Sequence, residues 1–337
     1  MQKSKNENII LSMKDFRTTF PILRSKPFGY DDSIMLCGSC FVENIGKKLE
    51  NACFNVLINP FGILFNPYSL AKSIESIIDN KPFTEGELVF HHGLYYSFSH
   101  HSCFSHHDPN VCVEQINRAN ARAHQFLKNS NYLIITLGTA WIYRHRHSGK
   151  IVSSCHKIPQ QEFEKELLSV EQITEMLSAM MQRLCEFNPD VRIVLTISPV
   201  RHIRDGFIEN QQSKASLILS AKQLTERFDN CSYFPVYELF MDDLRDYRFY
   251  ASDMLHPSET AIQYVWERFC ETFFNQETLQ ILDEAEKLYA ASQHRPFHAT
   301  SDEYQEFSRL YQEKAQQLAL RFPNAGFQRI KTCMDKV

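Results

Sequence analysis

Three apolar runs in this chain each stop at a glycine or a proline, and that pattern limits the fold more than anything else in the sequence. SIMLC (33–37) stops at Gly38, YLIITL (132–137) at Gly138 and VRIVLTIS (191–198) at Pro199. Runs that are apolar at nearly every position are buried on both faces, as in a parallel sheet. Between them lie stretches with helical spacing of apolar residues: 41–54, 112–129, 169–187, 210–228 and 258–274. NVLINPFGILFNP (55–67) begins as a strand and becomes a loop rich in Asn, Pro and Gly, and CSYFPVYELF (231–240) reads as a last strand. Strands alternating with helices predict an α/β fold, a doubly wound three-layer α/β/α sandwich with a mostly parallel sheet. ELVFHHGLYYSFSHH (87–101) alternates around Gly93 and predicts an inserted hairpin. Residues 20–275 form the expected main domain. Polar residues 276–337 form a C-terminal helical extension, read as a lid or a contact surface.

In an open sheet of this kind, ligands bind beyond the C-terminal ends of the strands. Four stretches are expected there: Gly38-Ser39-Cys40, NPFGILFNP (59–67), LGTAW (137–141) and SDMLHPS (252–258). In the last, Asp253 and His256 are three residues apart in a turn that enters a helix. A carboxylate there can fix the tautomer of the ring and stabilise the imidazolium that forms when His256 takes a proton.

The turn after the first strand leaves three readings open. Cys37 and Cys40 could act as a redox dithiol, Ser39 as a serine nucleophile, or Cys40 as a thiol nucleophile at the mouth of a helix. Unpaired N–H groups and the helix dipole favour a thiolate at such a position, so a lowered Cys40 pKa is expected. Arg201, His202, Arg204 and Lys214, in the loop and helix after the third run, are candidates to hold an anionic or sugar group. The histidine pairs 91–92, 100–101 and 106–107 lack the spacing of a zinc site, and Cys37-x-x-Cys40 has no second Cys-x-x-Cys to complete one. No metal or cofactor is therefore expected, and His101 is placed at the rim of the cleft.

A net charge of −4 over 337 residues gives no basic stripe for nucleic acid. No run approaches the roughly 18 apolar residues of a membrane span. The N-terminus lacks the apolar core of a signal peptide, which predicts a cytoplasmic protein. The ten cysteines are scattered, as expected of free thiols in a reducing compartment.

GSCF (38–41), NPFGILFNP, LGTAW, SPVRHIRDGFIEN (198–210) and FYASDMLHPS (249–258), in this order, resemble the GSCFA-domain family over roughly residues 20–275. That family is related to the SGNH (GDSL-type) hydrolases, esterases and acyl-group hydrolases with a flavodoxin-like sandwich. The resemblance implies an SGNH-hydrolase-like fold and a site for a small-molecule or carbohydrate ester. Laid over the Gly-Asp-Ser-Leu of those enzymes, Gly38 matches their Gly, Cys40 takes the place of their Ser and Phe41 that of their Leu. The resemblance implies Cys40 as nucleophile, with His256 and Asp253 completing the triad. It implies Gly62 as an oxyanion donor, with Asn59 and Asn66 as nearby amides. The relatives' Asn after the third strand is absent from Gly138-Thr139-Ala140, which leaves Asn66 or Thr139 to substitute. The function expected is an ester hydrolase or acyltransferase. A non-catalytic binding module on the same fold and the thiol redox protein are the alternatives.

Overall fold

The computed structural model describes residues 19–295, 298 and 301–334. In chain order the elements are β1 (Ser33–Gly38), α1 (Cys40–Asn51), β2 (Asn55–Ile58), α2 (Pro67–Asp79), β3 (Leu88–His91), β4 (Leu94–Ser97), α3 (Pro109–Lys128), β5 (Tyr132–Leu137), β6 (Trp141–His145), β7 (Ile151–Val152), β8 (Phe163–Leu167), α4 (Val170–Phe187), β9 (Arg192–Ile197), α5 (Phe207–Arg227), β10 (Cys231–Tyr233), α6 (Val236–Glu238), α7 (Glu259–Phe273), α8 (Gln276–Gln293), α9 (Asp302–Arg321) and α10 (Phe327–Met334).

The main sheet is parallel, in the order β10-β9-β5-β1-β2. Successive strand residues point to opposite faces, so each strand contributes to two cores. Ile34, Leu36, Tyr132, Ile134 and Val194 face one core with α1, α7 and α8. Met35, Cys37, Leu133, Ile135, Ile193 and Leu195 face the other, with α2, α4 and α5. This is the expected three-layer sandwich. The chain leaves β1 towards β2 on one side and returns to β5 on the other, so the strand order reverses between β1 and β5, where such sheets open a binding crevice.

Two expectations are corrected. The last strand is only three residues long, because Pro235 has no N–H to extend a ladder and the chain turns into α6 and a π-helical turn, Leu239–Asp243. The hairpin β3–β4 is not the only insertion: β6, β7 and β8 form a second, antiparallel sheet after β5.

The C-terminal helices pack into the first core through Ala285, Leu288, Leu318, Phe327 and Ile330. Tyr30 stacks on Phe54 with centroids 4.2 Å apart, and Phe327 lies 5.3 Å from Tyr30. Gly326 N–H donates to Cys53 O at 2.7 Å, and Arg329 pairs with Glu50 at 2.7 Å. All of these contacts gather at the C-terminal end of α1. Twelve residues of helix, about 18 Å, separate them from Cys40. The extension is therefore a buttress at the pole opposite the strand C-termini, not a cover over them. Among the described residues no helix is long and apolar enough to cross a membrane.

Candidate functional site

The turn from β1 into α1 is built by Gly38. Its φ is +146°, and a Cβ there would collide with the main chain of Thr136 on β5. The close approach lets Ser39 N–H donate to Thr136 O at 3.2 Å. The loop after β2 clamps the turn from the other side. Gly38 N–H donates to Asn59 Oδ1 at 2.9 Å, and Leu64 N–H donates to Gly38 O at 3.0 Å. Asn59 Nδ2 reaches Glu43 Oε1 at 3.4 Å. Asn59 therefore positions the turn.

Cys40 opens α1 and is partly exposed, whereas Ser39 is fully buried and its Oγ has no partner among the described residues. The N–H groups of Cys40 and Phe41 face the sulfur and favour its thiolate, as does Lys214. Burial nevertheless raises the thiol above its ordinary value, and Glu43 adds to the rise. The lowered pKa expected from helix position alone is thus corrected: desolvation and a nearby carboxylate outweigh the helix terminus. Cys37 lies in the second core, its thiol pushed up to about 12 by burial. An attacking dithiol needs the opposite environment.

The expected oxyanion donors are mostly engaged elsewhere. Gly62, with φ +77°, donates its N–H to Asn59 O at 2.8 Å and packs against the Cβ of His101. Thr139 N–H and Gly138 N–H both donate to Phe65 O, at 3.1 and 2.8 Å. Thr139 Oγ1 bonds Ser213 Oγ at 3.1 Å and accepts from Trp141 N–H at 3.1 Å. Asn66 caps α2, its Oδ1 accepting from Ser69 N–H at 2.8 Å. Its Nδ2 makes no hydrogen bond among the described residues. Gly62, Thr139 and Asn59 are therefore withdrawn as donors. The N–H groups of Cys40 and Phe41 have no carbonyl partner among the described residues and are directed at the Cys40 sulfur.

Asp253 and His256 meet as the spacing predicts. Asp253 Oδ2 lies 2.6 Å from His256 Nδ1, while Oδ1 accepts from Leu255 N–H at 2.9 Å and His256 N–H at 3.0 Å. Those bonds hold the Asp253 carboxyl down at about 2, the His256 N–H bond contributing most. The loop is closed by Ala251 N–H donating to His256 O at 2.7 Å, with Met254 in the left-handed region at φ +60°. Both members of the pair are exposed. With Nδ1 tied to the carboxylate, Nε2 is the ring nitrogen left for proton transfer.

His202 stands beside this group. Its N–H donates to Asn210 Oδ1 at 2.9 Å, and its ring meets Phe65 edge-on at 5.4 Å. Nε2 is buried without a partner among the described residues and faces Gly138. Burial, then Lys214 and His256, lower its pKa to about 4, against the opposing pull of Asp205. His202 is thus a neutral ring near pH 7. Arg201 is half-buried, with Nη2 3.4 Å from Met241 Sδ. His101 lies against the Gly62 loop and caps a short 3-10 turn by accepting from Cys103 N–H.

On α5 the structure adds Ser213 and gives Lys214, expected to hold substrate, a different place. Lys214 is fully buried, and its Nζ donates to Gly138 O at 2.6 Å and Ser198 O at 2.7 Å. Ser213 Oγ accepts from Ala140 N–H at 2.7 Å. The signal was in the spacing: Asn210, Ser213, Lys214, Leu217, Ala221 and Leu224 form one buried helical stripe. Grouping Lys214 with the loop charges hid that it sits on this stripe. No group of three or more metal-ligating side chains occurs among the described residues.

The match to the GSCFA family runs over residues 33–269, which spans every residue of this edge, and a match to the GSCFA domain protein C-terminal domain runs over 285–335. The chain belongs to the GSCFA family. No curated protein matches this GSCFA chain. Among solved structures it is similar to a protein described as a platelet activating factor from Streptococcus pneumoniae, at 13% identity and TM-score 0.38, covering 73% of this chain and 83% of that one. A protein described as a GDSL-like lipase from Parabacteroides merdae matches at 15% identity and TM-score 0.38, covering 75% and 98%. The acetyl xylan esterase of Butyrivibrio proteoclasticus matches at 9% and 0.36, covering 75% and 64%.

Proposed function

We propose that this GSCFA protein is an ester hydrolase or acyltransferase acting through a covalent thioester on Cys40. The observation that carries the reading is the Asp253–His256 pair, held at 2.6 Å, with His256 acting on His202, whose ring faces Gly138 on the strand beside the one that leads into the partly exposed Cys40. In the first step Cys40 gives its proton to His256 Nε2 and its sulfur bonds to the ester carbonyl carbon. The C–O bond then breaks, and the alkoxide leaves with that proton. Water or an acceptor hydroxyl next attacks the thioester, with His256 again taking the proton, and Cys40 is restored. The N–H groups of Cys40 and Phe41 face the developing oxyanion, with Asn66 Nδ2 as the side-chain donor. Arg201 and His202 line the substrate side. The substrate is a small-molecule ester, with a sugar hydroxyl as one candidate alcohol.

A thiol raised by burial needs its base, which makes the reading testable. Iodoacetamide and a fluorophosphonate are applied separately to wild type, Cys40→Ala, Ser39→Ala and His256→Ala, with peptide mass mapping. Preferential alkylation of Cys40 that slows in His256→Ala supports the Cys-His acyl enzyme. Fluorophosphonate on Ser39, dependent on His256, overturns the nucleophile, though the burial of Ser39 argues against that outcome. The binding-module reading draws on one specific observation, the engagement of Gly62 and Thr139 away from an oxyanion. It is favoured if neither residue labels above the background of other thiols and hydroxyls.

A further inference from the structure

The two insertions meet the candidate site through a pair of buried histidines that take no part in the proposed chemistry. His100 follows the hairpin β3–β4, and His156 lies in the loop between β7 and β8. They are 4% and 5% exposed. Ser97 joins them: its Oγ lies 2.7 Å from His100 Nδ1, and its O lies 2.7 Å from His156 Nε2. A carbonyl only accepts, so in the neutral ring the His156 proton sits on Nε2 and Nδ1 is bare. His156 Nδ1 and His100 Nε2 are both buried without a partner among the described residues. The His100 ring stands among Phe61, Phe83 and Phe104, with centroids 4.5, 5.5 and 5.5 Å away. The same segments tie three parts of the molecule together. Ser153 N–H donates to Phe98 O at 2.6 Å, joining the hairpin to the second sheet. His101 N–H donates to Phe61 O at 3.0 Å, joining it to the loop after β2, whose Asn59 holds Gly38 N–H. His156 and Lys157 are both left-handed, with φ +48° and +61°. Residues with side chains keep that conformation only where their neighbours hold them in it.

We propose that His100 and His156 form an acid-release latch: as neutral rings they lock the hairpin onto the second sheet and the Phe61–Gly62 loop, and protonation frees it. The proposal does not depend on ester chemistry at Cys40. A proton on His100 Nε2 or His156 Nδ1 would place a charge at a buried atom with no acceptor among the described residues. The groups that act on the rings give no compensation. His156 acts on His100, and His101 from the loop after β4 acts on His156. Tyr96 on β4 lies 4.6 Å from the His156 ring, and Cys155 and Lys157 flank His156 in the chain. None of these is a carboxylate. Burial lowers the His100 pKa from 6.5 to about 4, with His156 adding to the fall. Burial lowers that of His156 too, against the bond to Ser97 O, and His101 adds to it. Above about pH 6.5 the closed and released forms are both neutral and the latch is complete. As pH falls towards 4, the released form takes up protons that the closed form refuses, and the latch weakens.

Hydrogen exchange on the full chain at pH 7 and pH 5 tests this through the amides of His100, His101 and Ser153. After correction for the intrinsic pH dependence of exchange, their protection is lower at pH 5 by roughly twentyfold or more, as release of a ring from about 4 to its ordinary value requires. Gly326 N–H, bonded to Cys53 O at the far end of α1, keeps its protection. Equal protection of the three amides at both pH values overturns the proposal. A fall shared in full by Gly326 also overturns it, because that is unfolding of the whole chain. His100→Phe keeps a ring among the three phenylalanines, and His156→Gln keeps an N–H for Ser97 O. In the double variant the pH effect shrinks to within about threefold, and an undiminished effect overturns the latch. If the double variant does not fold, NMR of the His100 ring in the wild type decides. A midpoint near 4 supports the proposal, and one near 6.5 in the folded chain overturns it.

Discussion

The two ends of α1 are opposites. At its C-terminal end the chain closes on itself with rings: Tyr30, Phe54, Phe274, Phe322 and Phe327, stacked or edge-on, sealed by α8 to α10. At its N-terminal end lie Cys40 and four buried polar atoms without partners among the described residues, Ser39 Oγ, Thr136 Oγ1, Thr196 Oγ1 and His202 Nε2, against one, the Tyr30 hydroxyl, among the rings. Each unpaired buried group opposes folding by about 1–3 kcal/mol. Each large side chain at the other end favours it by about 1.5–3 kcal/mol. One short helix thus joins a pole where stability is concentrated to a pole where it is given up. Such unsatisfied polar clusters mark the sites where proteins keep reactive groups.

The contrast can be broken at either pole. The largest effect expected is on chemistry: Cys40→Ala or His256→Ala lowers ester turnover by about 10³-fold or more. Their unfolding midpoints in urea stay near wild type, because both residues sit outside the ring-packed pole; a large drop in midpoint would merge the two poles. Phe54→Ala reverses the pattern. It lowers stability by about 3–5 kcal/mol in urea unfolding, and the pH profile of Cys40 alkylation in the folded protein is unchanged. Gly38→Ala sharpens the boundary by striking both properties. The left-handed backbone and the collision with Thr136 give a loss of about 1–3 kcal/mol or more, and the Cys40 alkylation rate changes with it.

Acid separates the poles more gently. The Asp253 carboxyl lies below its unfolded value near 4, so its contribution is complete above that value and drains away as pH falls towards 2. NMR of the His256 ring should show Nδ1 losing its carboxylate partner only as pH falls to about 2. The ring stacking of the other pole involves no carboxylate and should not respond in that window. The smallest effect belongs to the exposed Arg329–Glu50 pair, where Arg329→Gln changes stability by about 0–1 kcal/mol and leaves Cys40 labelling alone.

The parallel sheet and its helices are legible in the sequence because burial on both faces leaves continuous apolar runs, as in YLIITL, and capped amphipathic helices between them. Asp253 and His256 are legible because their geometry is local, three residues in one loop. What could not be read depends on contacts distant in sequence. The Gly62 N–H looks available until Asn59 O takes it, and Thr139 looks like a donor until Ser213, 74 residues on, engages its hydroxyl. Cys40 sits where a thiol should ionise easily, yet burial and Glu43 decide otherwise. The strands β6 to β8 are short and half-exposed, without the solid apolar signature that revealed the central sheet.

The buttress at the far pole has a consequence for how the chain is made. Phe28, Tyr30 and Phe54 leave a ribosome before the residues that cover them, Phe274, Phe322 and Phe327, which follow some 220 to 300 residues later. At about 5–20 residues per second that is a wait of roughly 10 to 60 seconds with an aromatic surface uncovered. A product cut short before α10 would lack Phe327 and leave that side of the Tyr30 ring open.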